Sequence, residues 1–181
     1  MALEPEVLFV NTDYLKRLTN LNGSVEDSYI IPSVILSQDK YLQQYLGTTL
    51  LDKLKEDVKN DTLTGVYETL MDDYIRKVVC WWTMTDLIPS LYVKLDNGGL
   101  VIRTAENSAI ISPDDLYREV ERARENAQFY TQRLVSYLCN NSSQYPEYSS
   151  NTGADISPDT NAYSNFEISG GSSDYFKYLY S

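Results

Sequence analysis

The chain has 181 residues, 43% of them hydrophobic, with 26 acids against 15 bases, a formal net charge of −11 and no histidine. That supplies a sizeable core for one ordinary domain with appendages. The missing histidine removes Ser-His, Cys-His and HExxH chemistry, and the acidic balance argues against a sequence-independent grip on nucleic-acid phosphates.

No apolar run approaches the roughly 20 residues that span a bilayer. The start, MALEPEVLFV, shows neither the basic nor the apolar region of a signal peptide. The expectation is a soluble protein made in the cytosol, with no membrane partner. Cys80 and Cys139 fit neither a metal spacing nor a disulfide framework and are read as reduced.

After a short apolar stretch from Val7 to Val10, Asn11 or Thr12 caps a short helix through Leu18, and Leu21 to Gly23 supplies a turn. A long helix is predicted from about Asp27 to Leu46, its apolar set being Ile31, Val34, Ile35, Tyr41, Leu42 and Tyr45, with Pro32 placed in the first turn. Gly47 stops it. Thr48 or Thr49 then caps a second helix carrying Leu50, Leu51, Leu54 and Val58. Asn60 and Asp61 end that one, and Thr64 and Gly65 begin a third that runs toward Pro89 through Tyr67, Leu70, Met71, Tyr74, Val78, Trp81 and Trp82. From Val78 to Trp82 every side of that helix is apolar, which predicts enclosure by neighbouring helices or by another subunit.

Asn97, Gly98 and Gly99 signal a turn. Beyond it, Leu100 to Thr104 and Ala109 to Ile111 read as two short strands around Ala105 to Ser108, a projecting hairpin at about 98–111. Its contact candidates are Leu100, Val101, Ile102, Ile110 and Ile111, packed on their own domain or offered to a neighbouring subunit. Ser112, Pro113, Asp114 and Asp115 give a strong start to a fourth helix that ends near Asn140. At about 29 residues it is on the order of 43 Å long, more than a compact domain needs. Along it Leu116, Val120, Ala123, Ala127, Tyr130, Leu134 and Tyr137 alternate in steps of four and three, the seam of a coiled-coil-like contact.

From Asn141 the composition turns to Ser, Asn, Tyr, Gly and Asp, with five acids and one lysine in the remainder of the chain. Such a segment orders only by docking its rings on something. Tyr145, Tyr163, Phe166, Tyr175, Phe176 and Tyr178 are the candidates for that contact.

For chemistry, Gly98-Gly99 builds no phosphate loop, and no acidic run has calcium spacing. The sharpest catalytic candidate is the set Asp114, Asp115, Glu119, Glu121 and Glu125, joined across a helix pair by Asp72 and Asp73 to hold Mg²⁺ as in helical nucleotide hydrolases. Against it, Arg118, Arg122 and Arg124 stand three or four residues from the same acids, the ordinary pairing of a solvated helix face. Stacking of Tyr and Trp on unpaired bases needs interleaved cations that are scarce here. A scaffold or adhesion module on the same helices is a third reading; adhesion needs export, for which the start of the chain shows no signal.

The order of elements, with Ser37-Gln38-Asp39-Lys40-Tyr41-Leu42-Gln43-Gln44-Tyr45-Leu46-Gly47, then Thr48-Thr49-Leu50-Leu51-Asp52-Lys53-Leu54, then Tyr67 to Trp82, resembles the head-tail connector or adaptor proteins of tailed bacteriophages, including those of crAss-like phages. The likeness covers about Leu8 to Asn140 and lies in apolar spacing and one Leu-Gly turn. It implies a non-catalytic virion protein without cofactors. Copies would form a dodecameric neck ring below the portal protein, contact other neck or tail proteins, and let genomic DNA pass through an acidic channel without specific binding.

The expected architecture is therefore mainly α: a bundle of about four helices over residues 1–140 with one small β-hairpin, and an extended C-terminal arm over 141–181. Ala123, Ala127, Tyr130 and Leu134, with Trp81 and Trp82, are the expected subunit-interface residues, and the hairpin is the expected axial or lumenal element.

Overall fold

The computed structural model describes residues 6–96, 99–102, 111–149 and 155–160 and is mainly α-helical. Asn11 opens α1 (Thr12–Leu18) by accepting the Tyr14 N–H on its side chain at 2.7 Å. Helix α2 (Asp27–Ser37) passes through a π-helical turn at Gln38–Leu42 directly into α3 (Gln43–Lys59). Pro32 sits inside α2, in its second turn rather than its first, on an exposed side where water reaches the carbonyl that proline cannot serve.

The rod breaks at Gly47, whose φ of 72° and ψ of 159° belong to glycine alone. Among the described residues Thr48 gives the helix that follows no side-chain cap. Its hydroxyl and amide turn instead toward residues near the end of the described chain.

Gly65, with φ of 64°, leads into α4 (Val66–Leu70), a second π-helical turn at Met71–Ile75, and α5 (Arg76–Tyr92). Pro89 falls within the last turn of α5, and the helix ends three residues beyond it. Each π turn inserts one extra residue and rotates the helix face that follows.

Strands β1 (Val93–Asp96) and β2 (Gly99–Ile102) pair antiparallel, with Val93 opposite Ile102 and Asp96 opposite Gly99. The hairpin therefore lies upstream of the expected span. Leu100, Val101 and Ile102 pair with the residues that follow α5, because the turn signal at Asn97 to Gly99 joins two strands instead of preceding them. Residues 103–110, with the expected return strand from Ala109 and Ile110, lie outside the described residues.

Ser112 caps α6 (Pro113–Asn140) by accepting the Asp115 N–H at 3.1 Å, with Pro113 first in the helix and two acids in its first turn. Helix α6 has 28 residues, about 42 Å of length. A 3₁₀ turn (Ser142–Gln144) and α7 (Pro146–Ser149) follow.

Helix α5 is the centre of the fold. Both α2 and α6 pack along it and scarcely touch one another. Val78, Val79 and Cys80 are fully buried and Trp82 nearly so, while Trp81 is half-buried, so the expected enclosure holds for all but one residue of that run. The buried stripe of α2 is Ile30, Ser33, Val34 and Ser37, carried on by Gln38 in the π turn, and Ile31 faces water. The stripe keeps Val34 of the expected set, with Leu42 and Tyr45 buried beyond it, and takes Ile30 in place of Ile31. Its polar members explain how they sit in a core: the Ser37 hydroxyl is 2.9 Å from that of Thr83 and donates to the Val34 carbonyl at 2.8 Å.

The domain does not end at residue 140. Tyr145 is fully buried, its hydroxyl 3.0 Å from both the Val66 carbonyl and the Tyr137 hydroxyl. Further on, residues 155–160 lie against the break at Gly47. The Thr48 N–H donates to the Ile156 carbonyl at 3.0 Å, the Ile156 N–H to the Thr48 hydroxyl at 3.0 Å, and the Asp159 N–H to the Gln44 carbonyl at 2.7 Å. The helix break frees backbone groups at Gln44 and Thr48, and a segment more than a hundred residues away satisfies them.

Candidate assembly surfaces and a groove on the long helix

The expected subunit-interface residues on α6 turn inward. Ala127 and Leu134 are fully buried and Ala123 is 3% exposed, all within the single chain. The four-three seam is used to pack α6 on α5, where small alanines let the two helices close up; a spacing of this kind marks a buried face without saying whose surface covers it. A bulky charge at Ala127 therefore attacks the fold rather than the assembly. Tyr130 is half-buried against the same core.

Trp82 is buried. Its indole N–H donates to the Thr131 hydroxyl at 3.0 Å, and its ring stacks on Tyr41 at 4.0 Å between centroids. Among the described residues the Trp81 indole N–H and one Asp86 carboxylate oxygen are buried with no hydrogen-bond partner.

The arm candidates divide. Tyr145 belongs to the core of its own domain, where the Tyr67 ring meets it edge-on at 5.5 Å. The Tyr67 hydroxyl donates to Glu147 at 2.6 Å, and burial together with that carboxylate pushes its pKa up to about 12. Burial also raises Tyr145 and Tyr148, so all three stay neutral and bind α7 to the rest of the domain as uncharged rings. Tyr163, Phe166, Tyr175, Phe176 and Tyr178 lie outside the described residues, as does Ile110. Ile111 is exposed, and its carbonyl accepts from the Tyr92 hydroxyl at 3.4 Å.

The acidic set does not converge. Asp115 pairs with Arg118 at 3.3 Å, Glu119 with Arg122 at 3.3 Å, Glu121 with Arg124 at 2.6 Å, and Asp72 with Arg76. Among the described residues no three acids or thiols come together as a metal site. Cys80 is an inert core residue whose thiol burial pushes up to about 12.

Apart from Ile31, which was expected in the core, what the sequence did not single out are the large apolar side chains left in water. Tyr29, Ile31 and Leu36 are exposed on α2, and Tyr117 and Phe129 on α6, at 65% and 56%. They were legible only as aromatics and aliphatics lying next to the core positions. Between the second π turn and the last half of α6 runs a groove of about 480 Å³, lined by Tyr74, Phe129, Arg133, Ser136, Tyr137 and Asn140 among others. Tyr74 stacks on Tyr137 at 4.1 Å, and the Arg133 guanidinium lies 6.0 Å from the Tyr74 ring and 5.9 Å from that of Phe129.

A second feature holds the start of the domain. The Gln38 side chain accepts the Phe9 N–H at 2.8 Å and donates to the Val7 carbonyl at 3.0 Å, while Arg76 donates to the Phe9 carbonyl at 3.1 Å. The residue that opens the first π turn and the one that follows the second thus clamp one extended segment. Among the described residues no helix is long and apolar enough to cross a membrane.

The model of a family described as a family of unknown function, DUF6712, matches residues 42–158, from just before the Gly47 break to the segment that covers it. No curated protein and no solved structure matches the chain.

Proposed function

We propose, for a chain that belongs to the DUF6712 family of unknown function, that it is a structural subunit of the neck of a tailed bacteriophage, assembling into a ring that joins the portal to the tail and surrounds the DNA. Beside the resemblance in element order, one observation carries this reading. Helices α2 and α6 both pack along α5 and scarcely touch one another, and each leaves large apolar side chains in water. Singly exposed apolar groups need no explanation, but two outward helix faces carrying Leu36 at 47% and Tyr117 at 65% exposure supply what a ring requires: two different faces per subunit, one for each neighbour. The net charge of −11 suits a channel through which a duplex slides without adhering. The twelvefold ring, the portal and the other neck proteins as partners, and the virion as location belong to this proposal.

The test is the mass of the purified protein by light scattering over a wide concentration range, followed by negative-stain imaging. Twelve copies of 20.7 kDa give a ring of about 250 kDa. Ring-shaped particles of that order support the reading; a 20.7 kDa monomer throughout the range removes self-assembly from it.

A further inference from the structure

Helix α6 changes character along its length. Up to Glu125 its solvent side is crowded with acids, each close to an arginine; from Asn126 to Asn140 it has no acid at all and one cation, Arg133. That cation forms no ion pair among the described residues and instead lies by the rings of Tyr74 and Phe129. Phe129 is 56% exposed beside it, and Gln132, Ser136 and Asn140 follow at four-residue steps along the same groove. An unpaired guanidinium beside aromatic faces, with a ladder of amide and hydroxyl groups leading to a helix C-terminus, is a receptor for a peptide carrying an acid beside aromatic rings.

The chain contains such a peptide. In Asp174-Tyr175-Phe176-Lys177 an acid is followed by two rings and then a base. Asp174 is 14 residues beyond Thr160, a reach of up to about 48 Å from the end of the described segment, enough to cross a domain of this size. The charges also match in spacing. In a polyproline II peptide, with three residues per turn at about 3.1 Å each, Asp174 and Lys177 would share one face about 9 Å apart, and Arg133 lies about 10 Å along the axis from the last residue of α6, where the partial negative charge of the helix favours a cation. We infer that the groove lined by Tyr74, Phe129 and Arg133 receives residues 174–177 of its own chain, Asp174 pairing with Arg133, Tyr175 or Phe176 lying on the exposed Phe129 ring, and Lys177 at the end of α6. A tethered segment is at high effective concentration, which favours its own groove over that of another copy. This assignment stands independently of the phage reading.

Hydrogen exchange on the full-length chain tests it, comparing Arg133→Asp, Asp174→Arg and the double reversal. Arg133 is exposed, so its replacement leaves the core intact, and Asp174 lies outside the described domain. Each single reversal is expected to raise exchange at the amides of residues 174–177 on the order of tenfold, and the double reversal to bring it back toward wild type. Protection should be the same at all protein concentrations. Identical exchange in wild type and Arg133→Asp, or no recovery in the double variant, overturns the pairing. Protection that grows with concentration assigns the groove to another copy's segment and overturns the intramolecular contact.

Discussion

Gln38 has no exposed surface, yet its side chain makes two hydrogen bonds to the backbone of a segment 29 and 31 residues away. The amide acts as a strand partner for Val7 and Phe9, offering one acceptor and one donor in the order an extended peptide needs. Replacing it by leucine keeps the volume and strands a buried N–H and a part-buried C=O. The expected loss is about 1–3 kcal/mol in urea unfolding with an unchanged slope. Because Phe9 and Val10 are 3% and 2% exposed, the same variant should also speed proteolysis near residue 9. A Gln38→Leu protein as stable as wild type would show that apolar burial of Phe9 and Val10 alone holds the segment. Nothing in the sequence pointed to Gln38, since a glutamine at a core position reads as the edge of a hydrophobic stripe. Ser33 and Ser37 misled in the same way: with polar residues at two core positions of α2 and at Gln38 just beyond it, the apolar pattern favoured Ile31 over Ile30.

At the scale of elements, the Leu46-Gly47 break is written plainly in the sequence, and so are the Ser112 cap and the four-three spacing of α6. What each element meets is not. The partners of the break are backbone groups of Ile156 and Asp159, which every residue possesses, so no side-chain pattern announces them. A buried helix face shows as periodicity, but the same periodicity serves a neighbour in the chain or in another subunit; hence Ala123, Ala127 and Leu134 looked like an interface and are core. Gly47 makes the dependence measurable. An alanine there is forced into a glycine-only conformation, a cost of about 1–3 kcal/mol, or else straightens the rod and removes the free carbonyl of Gln44 and the amide of Thr48. Gly47→Ala should therefore lower the melting temperature and also expose the Ile156 and Asp159 amides to exchange. Thr48→Val, which loses only the hydroxyl, should affect Ile156 alone. If Gly47→Ala melts early while both amides stay protected, the break and the covering segment are independent features.

For the whole molecule, a ring places a demand on the two outer faces that a dimer does not. In a head-to-tail ring the α2 face of one subunit meets the α6 face of the next, so every contact uses one face of each kind. Leu36→Lys spoils the first face and Tyr117→Lys the second; both sites are exposed, so the fold tolerates the charge. Each variant alone has no intact pair of faces and should remain at 20.7 kDa by light scattering. Mixed, the two variants hold one good α2 face and one good α6 face between them, so they should associate into dimers and go no further. If the contact were instead isologous, α2 on α2, mixing would rescue nothing, and Tyr117→Lys alone would still pair with itself. The mixing experiment thus separates a neck-type ring from a two-fold dimer even where both bury the same residues, because what distinguishes them is the symmetry of the contact and not its chemistry.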